Sequence, residues 1–273
     1  MEARLEAIQR VLYASGPCSV QSLAAHVNAS TATIRRDLAR LEQLGVIIRS
    51  HGGARLAEAS GVEVAFQTRE HQELLQKRAI AEAALRLLRP GTTIFLDAST
   101  TVLQLARALR LEPVPVTVVT NGLAVAQELL GLKDVRLILV GGQVRQENFS
   151  CVGMYTDDVL QRMWFDQLFL GTVAIHLEQG VTTYDPSEAA ANRTMISRAA
   201  ARFLMADATK FDRIAPHRVA RLDEIQRVIT DTRVPTAWVA RARDLGVTVE
   251  RATARKDGLE SKVPVGLTGE TPR

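Results

Sequence analysis

From Lys77 onward the chain alternates between two kinds of segment, and this alternation limits its fold more than any other feature. Short, continuously apolar runs ("TTIFLDA", "VTVVTNG", "VRLILVGG") are interleaved with helical stretches ("KRAIAEAALRLLRPG", "STTVLQLARALR", "LAVAQELL"). A strand without polar alternation has to be covered on both faces. Strand–helix alternation then implies a parallel sheet with helices on either side. "DQLFLGTV", "RFLMAD", "RVITD" and "GVTVE" supply further strands, separated by helices such as "PSEAAANRTMISRAAA". An α/β domain is therefore expected over residues 77–253. The polar stretch 254–273 is expected to be a disordered tail.

A chain of 273 residues has room for that domain and a second, smaller one. Leu5, Ile8 and Leu12 lie on one stripe of a first helix, which "SGP" terminates. In "SVQSLAAHVN", Val20, Leu23, Ala24 and Val27 share a face of a second. "NAS" leads into "TIRRDLARLEQLG", where Ile34, Leu38 and Leu41 form a third apolar stripe. Ser30 is a good N-cap and Gly45 a good residue after the last turn, so this helix should span residues 31–44. Three short helices with a tight turn before the third make a helix-turn-helix. "GVIIRSHGGARL" then reads as a β-hairpin wing with Gly52 and Gly53 at its tip. The expected boundaries are 1–57 for this domain and 58–76 for a linker anchored by Phe66.

The third helix turns Arg36 to the side opposite its leucines, with Arg35 and Arg40 flanking. Such a helix enters the major groove of DNA. The arginine fork matches O6 and N7 of guanine, so Arg36 is the candidate for base readout. Arg35, Arg40, Arg49 and Arg55 suit phosphates, which position a protein without reading sequence. Asp37, at the edge of the apolar stripe, is expected to pair with a neighbouring arginine, since phosphates would repel it. A formal charge of +4 is compatible with nucleic acid without proving it.

Ligands of open α/β sheets bind beyond the carboxyl ends of the strands. Those ends carry Asp97, Ser99, Thr100 and Thr101; Thr120 and Asn121; Gly141, Gly142 and Arg145; and Asp207 with Lys210. Hydroxyls and free N–H groups at a helix start bind phosphate, carboxylates and Asn suit sugar hydroxyls, and Lys210 can supply a point charge. Together they point to a phosphorylated sugar or polyol. Each residue alone could equally cap a helix or close a turn. No nicotinamide or adenine fingerprint is present, and no cofactor, metal or catalytic set is expected. The two cysteines, Cys18 and Cys151, have no ligand spacing, and the start of the chain is a charged helix unlike a signal peptide. A soluble cytoplasmic protein without membrane partners is expected.

The stretch "STATIRRDLARLEQLGVIIRSHGGA" closely resembles the winged helix-turn-helix signature of the DeoR family of bacterial transcriptional regulators. "IFLDASTT", "VVTNGLA", "LVGGQVR", "FLGTVAI", "GVTTYD", "SEAAANRTMI" and "ADATKF" are similar to the family's effector domain. The resemblance implies an α/β protein: an N-terminal winged helix-turn-helix, then a larger parallel-sheet sensor domain that looks like sugar-phosphate isomerases. It implies DNA contacts from Ser30, Thr31, Thr33 and His51 besides the arginines, and adds Glu188 to the effector set. It also exposes departures. The family usually has Gly where Ser99 stands, and Glu and Lys where Ala190 and Asn192 stand.

Two functions follow. One is a repressor of sugar-metabolism genes, acting as a homo-oligomer, dimer or tetramer, on double-stranded operator DNA under control of a phosphorylated sugar. The other is a sugar-phosphate isomerase-like enzyme with an N-terminal helical extension, using Asp97 or Asp207 as base and Lys210 as electrophile. The winged-helix signature favours the first.

Overall fold

The computed structural model describes residues 2–43, 47–50, 52–56 and 66–254. Gly45 and His51 lie outside the described residues, as do the side chain of Arg55, most of the expected linker and the tail beyond 254.

In the N-terminal domain, α1 (Glu2–Ser15), α2 (Val20–His26) and α3 (Thr31–Gln43) close around Leu5, Ile8, Leu12, Leu23, Ile34, Leu38 and Leu41. The three α3 side chains are fully buried, which contributes about 2 kcal/mol each. The Ser19 hydroxyl caps α2 by accepting from the Ser22 amide at 3.1 Å. Ser30 does the same for α3 through the Thr33 amide at 3.2 Å. A two-residue strand, β1 (Cys18–Ser19), was not apparent in the sequence. It pairs with the second strand of the wing, which is formed by β2 (Ile47–Ser50) and β3 (Gly53–Leu56). The two glycines at the tip have separate causes. Gly52 adopts φ +84°, and a Cβ on Gly53 would lie 2.4 Å from the Cys18 carbonyl oxygen.

The C-terminal domain opens with α4 (Phe66–His71) and α5 (Leu74–Leu85). Helix therefore begins inside the segment expected to be linker. Phe66 is 2% exposed and packs on Phe149 with ring centroids 5.3 Å apart, which fixes α4 to the domain. There follow β4 (Thr93–Leu96), α6 (Thr100–Leu111), β5 (Val116–Thr120), α7 (Leu123–Leu129) and β6 (Val135–Leu139). A ribbon of β7 (Gln143–Arg145) and β8 (Ser150–Val152) leads to α8 (Met154–Gln161) and β9 (Phe165–Gly171). Next are β10 (Ala174–His176), β11 (Gly180–Thr183), α9 (Pro186–Ser197) and β12 (Ala199–Met205). A single 3-10 turn over Ala208–Lys210 precedes β13 (His217–Ala220), and a second over Leu222–Glu224 precedes β14 (Arg227–Asp231), α10 (Thr236–Asp244) and β15 (Thr248–Ala252). The helix expected to continue through "RAAA" stops at Ser197, because Ala199 already pairs with Phe165 of β9.

Seven strands form one sheet in the order β15-β14-β12-β9-β4-β5-β6, each parallel to its neighbours. Successive side chains point to opposite faces. Ile94 and Leu96 pack with α5, α6 and α7, whereas Phe95 packs with the cluster that includes residues of α8, α9 and α10. An antiparallel sheet of β10, β11 and β13 is an addition the alternation did not announce. The chain leaves β4 toward β5 on one side, and later returns through β9 on the other. The crevice of this fold is therefore expected between the ends of β4 and β9. Among the described residues no helix is long and apolar enough to cross a membrane.

Candidate functional site

Two surfaces carry chemistry. On the N-terminal domain, Arg35, Arg36 and Arg40 are exposed on α3, as are Thr31 and Ser30 at its start, while Thr33 is half-buried. Thr31, Arg35 and Arg49 line a depression between α3, the start of α2 and the wing glycines. Arg49 lies 3.7 Å from Glu42, with both side chains more than two-fifths exposed. Such a pair is worth at most about 1 kcal/mol and can be exchanged for a phosphate. Asp37 does pair with an arginine, but one distant in sequence. Nε of Arg4, on α1, donates to its carboxylate at 2.6 Å. The pair ties α1 to the buried side of α3 and leaves the opposite face cationic.

The second surface is a cleft at the β4/β9 switch point, about 670 Å³ including its open mouth. Its floor is built by Asp97 at the end of β4. One carboxylate oxygen accepts from the Ser99 amide (2.9 Å) and the other from the Gly171 amide at the end of β9 (2.8 Å). Burial in this position, at 6% exposure, pushes the Asp97 carboxyl up to about 6, although both amides and the Ser99 hydroxyl oppose the shift. Ser99 caps α6 through the Val102 amide at 3.2 Å. Thr100 and Thr101 then stand in the first turn, whose N–H groups have no partner within a helix. Asn121 donates to the Cys151 carbonyl at 2.9 Å, and its own side-chain oxygen is buried without a hydrogen-bond partner among the described residues.

Glu188, 7% exposed on α9, accepts from Asn148 (2.6 Å) and Ser150 (3.0 Å). The cations are Lys210, from the turn after β12, and Arg69, from α4. Burial lowers the Lys210 pKa; Asp207 counteracts this, while Arg69 and Arg213 reinforce it. Beneath them Lys77, 2% exposed, donates to the Thr100 hydroxyl at 3.0 Å and to the Arg69 carbonyl. Burial pulls Lys77 down to about 7, against the attraction of Asp207.

Of the residues expected from the sequence, Asp97, Ser99, Thr100, Thr101, Asn121, Glu188 and Lys210 line this cleft. Thr120, Gly141, Gly142 and Arg145 do not. The Thr120 hydroxyl accepts from the Gly122 amide and closes a turn. Gly141 accepts from Thr156, and a Cβ on Gly142 would meet the same Thr156 hydroxyl, so both serve packing against α8. Arg145 is ion-paired with Asp185 (3.3 Å) and Glu188 (3.0 Å), orienting the latter. Asp207 caps the 3-10 turn through Thr209. Arg193 donates to the Arg218 carbonyl at 2.6 Å. Asn192 lines the cleft where the family pattern would place a lysine. The sequence reading missed Arg69, Asn148, Ser150, Thr172 and the buried Lys77. A lysine amid the alanines of α5 was the one available signal.

Residues 4–60 match the family model described as DeoR-like helix-turn-helix domain, and residues 72–232 match the DeoR C terminal sensor domain. The chain is 36% identical over 250 residues to a putative aga operon transcriptional repressor of Escherichia coli O157:H7, covering 91% of this chain and 92% of that one. It is 39% identical over 239 residues to the HTH-type transcriptional regulator GlpR of Haloferax volcanii, covering 87% and 92%. It is 32% identical over 222 residues to the glycerol-3-phosphate regulon repressor of E. coli K12, covering 81% and 87%. Ribose 5-phosphate isomerase A from Neisseria gonorrhoeae overlaps 52% of this chain and 55% of its own at a TM-score of 0.35 and 14% identity, too distant a likeness to bear on function.

Proposed function

Since the chain belongs to the DeoR family of transcriptional regulators, we propose that it represses genes of sugar metabolism and releases its operator when a phosphorylated sugar occupies the sensor cleft. The observation that carries this reading is the convergence, at one switch-point crevice, of two cations with a capped helix N-terminus and an arc of Asn and carboxylate groups. Arg69, Lys210 and the first turn of α6 suit the phosphate. Asn121, with an open acceptor, and Glu188 suit hydroxyls of the sugar.

In this role the cleft is a sensor and not an active site. Both oxygens of Asp97, the carboxyl whose pKa is poised near neutrality, are engaged by backbone amides, which leaves it badly placed to abstract a proton. On the head, Arg36 reads bases while Arg35, Arg40 and Arg49 hold phosphates, with the start of α3 and the wing adding contacts. One such helix reads few bases, so a homo-oligomer, at least a dimer, spans two half-sites about one helical turn or a multiple apart. Its place is the cytoplasm, with the genes it controls.

Fluorescence anisotropy on a labelled fragment of the gene's own upstream DNA tests the proposal. Affinity should fall steeply with salt. A panel of sugar phosphates should contain one that weakens binding, while the unphosphorylated sugar does not. Turnover of pentose phosphates by the protein, without any effect on DNA binding, would overturn it.

A further inference from the structure

We infer that Arg69 is an anion-binding residue of the sensor cleft and that α4, which carries it, transmits occupancy of the cleft to the DNA-binding head. The inference rests on the phosphorylated-effector reading above. The head ends its wing at Leu56, and α4 is the element that begins the sensor domain at Phe66. Any restraint the sensor places on the head along the chain therefore passes through α4.

The attachments of α4 lead to the cleft. The Phe66 amide donates to the Glu147 carbonyl at 2.9 Å, next to Asn148. The Arg69 guanidinium donates to the Asn148 side-chain oxygen at 2.6 Å, and that same amide group donates to Glu188. The Arg69 carbonyl accepts from Lys77, whose other bond goes to the Thr100 hydroxyl in the first turn of α6. Glu70 meets Arg107, farther along α6. The helix is thus clamped between the two walls of the crevice, by Asn148 on one side and Thr100 on the other.

Charge gives these attachments a dependence on ligand. Arg69 and Lys210 line one cleft, and the Arg69 charge lowers the pKa of Lys210 as both lower that of Lys77. A phosphate between Arg69 and Lys210 turns that repulsion into two charge-assisted bonds. The guanidinium then exchanges a neutral amide oxygen for an anion held at the α6 N-terminus. An anion would thus add a bond from Arg69 at the α6 N-terminus to the ties that Lys77 and Glu70 already make, at the expense of the one to Asn148.

Hydrogen exchange on the full chain, read by mass spectrometry with inorganic phosphate, fructose 6-phosphate or glycerol 3-phosphate added, tests this. In the wild type an anion that slows exchange in the first turn of α6 should also slow it across residues 66–76. In Arg69→Gln the α6 protection should persist, weakened, while the α4 protection disappears. Release of operator DNA by the active sugar phosphate should drop from roughly tenfold to less than about twofold. Arg69→Lys should restore part of both. Protection of α6 with α4 unchanged in the wild type, or equal α4 protection in Arg69→Gln, overturns the inference. Absence of protection at both segments with a sugar phosphate that does release the operator overturns this inference, and failure of the whole sugar-phosphate panel to release it overturns the phosphorylated-effector reading.

Discussion

Asp97 binds a proton more tightly in the folded chain than in the unfolded one, and this gives a testable pH signature. The unfolded carboxyl titrates at 3.8 and the folded one at about 6, because burial disfavours its charge. Between those values the native state holds the extra proton, so stability falls as pH rises through this window. The whole shift is on the order of 3 kcal/mol. The slope near pH 5, where the unfolded group is ionised and the folded one is not, is about 1 kcal/mol per pH unit. Asp97→Asn removes the titration. It also sets an NH2 group against one of the two amides, Ser99 or Gly171, that the carboxylate now satisfies, a pH-independent loss of about 1–3 kcal/mol. The variant should therefore be the less stable protein near pH 4.5 and should match or overtake the wild type by pH 8. Urea unfolding followed by tryptophan fluorescence reads this directly, because both tryptophans, Trp164 and Trp238, lie in the sensor domain. Curves for the two proteins that stay parallel from pH 4 to pH 8 would refute the reasoning, since the difference between them isolates Asp97 from every other carboxylate.

On the head, Arg36→Ala should abolish discrimination between operator and mismatched DNA, a loss of about 1–3 kcal/mol in the specific complex, and Arg35→Ala should weaken all sequences alike with a shallower salt slope. Undiminished discrimination in an anisotropy titration of Arg36→Ala would reject base readout by that residue. Lys210→Ala should bind operator normally in the same assay yet fail to release it with the active sugar phosphate; normal release removes Lys210 from the site. Gly171→Ala places a methyl 2.2 Å from the Ser99 hydroxyl oxygen. It should destabilise the sensor domain by about 2–4 kcal/mol through crowding and a lost cap. Adding Ser99→Gly should return part of that in a double-mutant cycle; strictly additive losses in urea titrations would show that the two side chains do not compete.

The elements that could be read from sequence are those whose burial pattern is complete within a few residues. Ile34, Leu38 and Leu41 declare one face of α3, and "TIFL" or "VTVVT" declare a strand covered twice. The helix α4 has six residues, too few for a period to show, and its position depends on Phe66 meeting Phe149 from a distant loop. It therefore read as linker, and Arg69 went unseen with it. Asn148 lies in the turn of a ribbon of three-residue strands and Ser150 opens its second strand, with no alternation to notice. Thr120, Gly141, Gly142 and Arg145 were expected at the site because strand ends gather there. Strand order decides which ends do so, and order is not written locally. β5 and β6 lie on the far side of β4 from β9, so of their ends only Asn121 reaches the crevice.

The energies say how the two domains can communicate. A tenfold change in operator affinity needs a differential of about 1.4 kcal/mol between occupied and empty states. One hydrogen bond from Arg69 to an anion, worth roughly 1.5–3 kcal/mol, is enough. Melting the head would be far more expensive. It would expose Ile8, Leu12, Leu23, Ile34, Leu38 and Leu41, all at most 1% exposed, and would break the Arg4–Asp37 pair that holds α1 to α3. Even after the chain entropy that unfolding releases, that costs several kcal/mol, more than the roughly 1.4 kcal/mol a tenfold change requires. On the proposed function, the less costly switch leaves each head folded and moves it as a body. The spacing between heads in the proposed oligomer, and not the shape of the reading surface, is then what an effector would alter. Effector should accordingly weaken binding to a two-half-site operator while leaving binding to a single half-site nearly unchanged. Equal weakening of both would place the change inside the head and contradict the energetic argument.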